Sequence, residues 1–91
     1  MLTEFGLRLR SARSDAGLSQ EDVHYGYGVH RTYVSGAERG QRNVSLLMVV
    51  RFATIYGVDP ATLVRGFRHT PELWPLRGVG DAPFPPPPED G

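Results

Sequence analysis

Apolar residues recur at helical spacing through residue 67 or so and lose all periodicity beyond it. Phe5, Leu9, Ala12 and Ala16 fall at i, i+4, i+7 and i+11, one face of a first helix that Thr3 can cap and Gly17 ends. Ser19 offers the next N-cap, with Gln20, Glu21 and Asp22 in the following turn, where acceptors and negative charge favour a helix start. Val23 and Tyr27 are the inward residues of this second helix, and Gly26-Tyr27-Gly28-Val29 is expected to be the turn that closes it. A third helix is predicted from about His30 to Arg39, with Val34 and Ala37 inward, a polar opposite face and Gly40 as its stop. Ser45 can cap a strongly apolar fourth helix through Leu46, Val49, Phe52, Ala53 and Tyr56, closed by Gly57. Asp59-Pro60, a cap followed by proline at the first helical position, starts a short fifth helix through Leu63, Val64 and Phe67.

The pattern therefore predicts an all-α fold: a compact five-helix domain over residues 1–68, followed by a Pro/Gly-rich tail over 69–91 that carries Pro85-Pro86-Pro87-Pro88 just before Glu89-Asp90-Gly91. Such a tail cannot bury enough apolar surface to order itself, so it is expected to be disordered; its proline run favours the polyproline II form, a ligand for aromatic-lined grooves. The net charge of zero conceals a split: residues 1–70 hold nine Arg against six acidic residues, while 71–91 hold one Arg against four. A mildly basic body and an acidic tail fit a partner such as nucleic acid for the body alone. With no Cys there is no disulfide framework or thiolate metal site, and a reducing cytoplasmic setting is expected. The longest apolar run, Leu46 to Val50, falls far short of a membrane span, and Met1 to Arg10 lacks a signal-peptide core, so neither export nor insertion is predicted.

Short helices with a glycine-containing turn between the second and third supply a geometry for reading DNA, one helix braced on the backbone and the next in the major groove. Gly17-Leu18-Ser19-Gln20-Glu21, then Gly28-Val29-His30-Arg31-Thr32-Tyr33-Val34-Ser35, then Glu38-Arg39-Gly40 and Asn43-Val44-Ser45-Leu46 resemble the Xre-type, lambda-repressor-like helix-turn-helix pattern at its usual spacings over residues 5 to about 67. Within it, Arg31 to Gly36 followed by Glu38-Arg39 and Arg42-Asn43 is most similar to the controller proteins of restriction-modification systems. The resemblance implies a DNA-binding transcriptional regulator acting as a homodimer on a palindromic operator, with no enzymatic activity and no cofactor. It also implies a partly buried ion pair between Arg13 and Glu38. Two positions depart from the pattern: His24 stands where a small Ala usually packs between two helices, and Ala37 where a larger aliphatic residue is usual.

Arg31, Thr32, Ser35 and Gly36 lie on the polar side of the third helix and are the candidate base readers, with Arg31 able to grip guanine O6 and N7 together. Gly36 would permit close backbone approach at a cost in helix stability. Gln20, at a helix start where amide groups can join its side chain on a phosphate, is the leading phosphate contact, and Tyr33, Gln41, Arg42 and Asn43 are further candidates. The apolar crowd of Leu63, Val64 and Phe67 is the candidate dimer interface, extended by Leu73 and Trp74.

No metal constellation is expected of His24, His30 and His69, and Ser11, Ser14 and Ser35 offer no nucleophile arrangement. The competing reading is a protein-interaction module such as an antitoxin, whose domain only dimerises while Pro71-Glu72-Leu73-Trp74-Pro75-Leu76 engages a partner.

Overall fold

Capping chemistry sets four of the helix starts in the computed structural model, which describes residues 1–68. The helices are α1 (Leu2–Asp15), α2 (Gln20–Tyr27), α3 (Arg31–Glu38), α4 (Leu46–Tyr56) and α5 (Pro60–Val64), with no strand among the described residues. Ser19 accepts from the Asp22 amide at 3.0 Å while Asp22 accepts from the Ser19 amide at 2.8 Å, so two orphan donors of α2 are satisfied reciprocally. Those two bonds also hold the Asp22 carboxyl below its ordinary pKa, the backbone bond contributing most. Ser45 caps α4 through the Met48 amide, and Asp59 caps α5 through the Ala61 amide ahead of Pro60.

Four local expectations are corrected. Thr3 is not a cap: α1 begins at Leu2 behind Met1, two residues before the start that a Thr3 cap would set, because Phe5 can already donate to the Met1 carbonyl at 2.9 Å. Gly26 does not break α2, which runs on to Tyr27 until Gly28, at φ +74°, takes the left-handed conformation that reverses the chain. Tyr27, Ala16 and Leu46 are exposed rather than inward, since the buried stripes are narrower than the apolar pattern. Phe67 lies beyond α5, which stops at Val64.

The core joins Phe5, Leu9 and Ala12 of α1, Val23 of α2, Val34 and Ala37 of α3, Val49, Phe52, Ala53 and Tyr56 of α4, and Leu63 of α5. Phe52 stacks between Tyr33 and Tyr56, with centroids 6.1 and 5.9 Å away. Helix α1 lies directly on the C-terminal end of α3, and Gly6 makes this possible: a Cβ there would sit 2.3 Å from the Glu38 carbonyl oxygen and 2.7 Å from that of Ala37. Ala37 is fully packed in the core beside this crossing, and its backbone carbonyl is part of the close approach.

Arg8 ties α1 to the end of the domain, donating to the Arg65 carbonyl at 2.8 Å with its guanidinium 4.4 Å above the Phe67 ring. The Tyr56 hydroxyl is buried without a hydrogen-bond partner among the described residues, and burial pushes its pKa well above the phenol range. No helix among them is long and apolar enough to cross a membrane. The tail over 69–91, with its proline run and the Leu73-Trp74 segment, lies outside the described residues.

Candidate nucleic-acid interface

Helix α3 is fixed at its two ends by different means. At the C-terminal end, Glu38 is 8% exposed and takes a bidentate grip from Arg13 of α1, with Nε at 2.6 Å and Nη2 at 3.0 Å. Gln20 Nε2 donates to the same carboxylate at 3.2 Å, and Arg13 Nη1 donates to the Leu18 carbonyl at 2.8 Å. One carboxylate thus joins α1, α2 and α3. The hydrogen bonds it donates to Glu38 raise the Arg13 guanidinium's pKa still further against the opposing effect of burial.

The N-terminal end of α3 faces water. His30, its N-cap, accepts from the Thr32 amide at 3.1 Å through Nδ1, and His24 of α2 accepts from the Arg31 amide at 3.3 Å through its own Nδ1. Two imidazoles, 5.0 Å apart and edge to face, therefore do what Ser, Asn or Asp would do at most helix starts. Accepting through Nδ1 requires each ring to keep that nitrogen unprotonated. His24 is half-buried and turned towards the α3 start, which is how the chain accommodates a ring where a small residue usually packs.

Around this end stand exposed arginines. Arg31 of α3 bonds Glu21 of α2 through Nη1 at 2.6 Å, and that contact raises its pKa. Arg51 of α4 donates to the Tyr27 carbonyl at 2.8 Å and borders a cleft of about 310 Å³ with Gly28, Val29, His30, Tyr33 and Met48. Further along, Arg39 bonds Ser35 and reaches Gln41 at 3.2–3.3 Å, and Arg42 lies 5.4 Å over the Tyr33 ring. The surface holds donors in quantity, and among the described residues the one exposed acid in contact with them is Glu21.

Residues 4–65 match the family model described as a helix-turn-helix domain. The chain belongs to the helix-turn-helix family of DNA-binding regulators. It is 41% identical over 61 residues to the control protein C.BamHI of Bacillus amyloliquefaciens, covering 66% of this chain and 75% of that one. It is 33% identical over 66 residues to the uncharacterized HTH-type transcriptional regulator y4dJ of Sinorhizobium fredii (strain NBRC 101917 / NGR234), covering 72% of this chain and 86% of that one. The crystal structure of the restriction-modification controller protein C.AhdI from Aeromonas hydrophila matches with a TM-score of 0.63 at 48% identity, over 68% of this chain and 94% of that one. The Xre-type, controller-like resemblance and the five-helix all-α fold expected from the motifs both stand.

Within this helix-turn-helix domain the residues singled out by sequence are distributed unevenly. Arg31 and Thr32 are exposed at the start of α3, and Ser35 is half-buried one turn on, beneath Arg39. Gly36 is buried and covered: a Cβ there would meet Arg42 Cγ at 3.0 Å and Nε at 3.1 Å, so the glycine makes room for the Arg42 side chain instead of baring backbone to a groove. Gln20 is half-buried and spends its amide on Glu38, while Gln41, Arg42 and Asn43 are exposed and Tyr33 is half-buried under Arg42.

Leu63 is fully buried inside the domain and has no surface to give a partner, whereas Val64 is 42% exposed and Phe67 is half-buried. Arg39 and Arg51 are also exposed on this surface, and neither is marked by the sequence pattern as a contact. Arg39 was visible only as part of a motif and Arg51 only as a gap in the apolar pattern of α4. No metal-ligating group of three or more His, Asp or Glu occurs among the described residues.

Proposed function

We propose that this chain is a transcriptional regulator that binds a short two-fold-symmetric DNA operator as a homodimer, with α3 in the major groove, in the manner of a restriction-modification controller. The exposed face of α3, with Arg31 at its start, Arg51 beside that start and Arg39 and Arg42 at and beyond its C-terminal end, carries the reading. Identity of 48% to C.AhdI over 94% of that chain supports the controller class. In this reading Arg31, Thr32 and Ser35 read base edges, while Gln20, Tyr33, Gln41, Arg42 and Asn43, joined by Arg39 and Arg51, position the domain on phosphates. The reading leaves Gly36 a packing role under Arg42.

A lone domain of this size spans few base pairs, whereas two related by a two-fold axis meet successive major grooves about 34 Å apart. Surface for that association remains on α4 and α5, where Leu46, Leu47, Val50 and Val64 are 80, 76, 42 and 42% exposed on two helices that pack together. Selection of bound duplexes from a random pool, followed by a salt titration on the best site, tests the proposal. Enrichment of a palindrome and a steep loss of affinity with salt are expected; absence of any enriched duplex overturns it.

A further inference from the structure

We propose that Glu21 is a positioning residue for base reading: it holds one edge of the Arg31 guanidinium so that the other edge is presented, preset, to a guanine. The inference rests on the reading of α3 as the helix that enters the groove. Only Nη1 of Arg31 is engaged among the described residues, by Glu21 Oε1 at 2.6 Å. Nε and Nη2 lie side by side on the opposite edge of the planar group and form the fork that matches guanine O6 and N7. A contact to Nη1 therefore leaves the reading edge free.

Local helix chemistry does not account for this contact. An acid near the start of α2 suits the helix dipole, but Asp22 already supplies it and is bound into the capping box. Glu21 instead crosses to a residue ten positions away on the neighbouring helix, with both side chains about half exposed. An exposed pair of this kind adds little to folding. Its effect lies in the arginine: a long side chain held in one geometry before binding loses less freedom when it meets the base. Glu21 also places a negative charge on a surface that is to approach phosphates, a cost on any DNA whatever its sequence. The two effects have opposite signs on different DNA. Glu21 raises affinity where Arg31 meets its guanine and lowers it everywhere else, which makes it a determinant of specificity.

Opposite signs allow a decisive test in the full-length chain. Dissociation constants are measured at one fixed salt concentration for wild type, Glu21→Gln, Glu21→Asp, Arg31→Ala and Glu21→Gln/Arg31→Ala. The probes are the duplex that wild type selects from a random pool and a scrambled duplex of equal composition. Glu21→Gln is expected to bind the selected duplex up to about fivefold more weakly and the scrambled duplex more tightly. Glu21→Asp, which keeps the charge and shortens the reach, should weaken the selected duplex without any gain on the scrambled one. In the Arg31→Ala background Glu21→Gln should only tighten binding, equally on both. A gain on both duplexes by the same factor, with Arg31 present or absent, overturns the proposal while leaving DNA reading by α3 intact. Failure of wild type to select any duplex overturns that underlying reading instead.

Discussion

The two ends of α3 are built on opposite terms. Its C-terminal end is enclosed: Glu38 is buried under α1, held by Arg13 and Gln20, and pressed by a helix that only glycine at position 6 lets so near. Its N-terminal end is open, held by two imidazole acceptors and one exposed ion pair, each in contact with water. Losing a partner in the enclosed end strands a charge in low dielectric, whereas losing one in the open end lets water replace it. A short helix is thereby both fixed and available. Packing at one end sets its direction, which leaves the residues at the other end free for a ligand.

Mutations at the two ends should therefore differ in scale. Removing the Glu38 carboxylate (Glu38→Ala) leaves the Arg13 guanidinium, 14% exposed at its side chain, without its partner, and about 3–5 kcal/mol of stability should be lost in urea denaturation. A loss of a few tenths would put the pair on the surface and erase the contrast. Adding a single methyl at the helix crossing, Gly6→Ala, sets Cβ against backbone carbonyls that cannot swing aside, and roughly 1–3 kcal/mol of destabilisation is expected from overpacking.

At the open end, His30→Ala deletes one cap and should cost only about 1 kcal/mol, with His30→Asn restoring most of it. Smaller again is the pH effect of the Asp22 capping box. Because its folded pKa lies below the unfolded value, its contribution is present above the usual carboxylate range and is lost as pH falls through the lowered pKa. Asp22→Asn should flatten that part of the acid limb, seen by thermal melts between pH 5 and pH 2, the window in which carboxylates gain their protons.

What the sequence made legible was what is local. Ser19, Ser45 and Asp59-Pro60 each announce a helix start because a cap bonds an amide two or three residues away, and Gly28 marks the turn because few other residues accept its φ. Apolar spacing gave the core face of each helix but not its width, which is why Tyr27 and Leu46 turned out exposed. Thr3 failed as a cap since backbone bonding reached two residues further out, to Met1.

The candidate interface was legible in part. Arg31 and Thr32 could be placed by their offset from the turn, whereas the cover that Arg42 lays on Gly36 and the bond from the Arg31 amide to His24 join residues that no pattern links. Nor could the role of Gly6 be seen, because a close crossing depends on what another helix presents.

That the open end of α3 reads sequence is tested by Arg31→Ala beside Arg42→Ala, on the selected duplex and on a scrambled one. Arg31→Ala should lose about 1–3 kcal/mol of affinity on the selected duplex and far less on the scrambled duplex, while Arg42→Ala weakens both alike. Equal losses for Arg31→Ala on the two duplexes would contradict it.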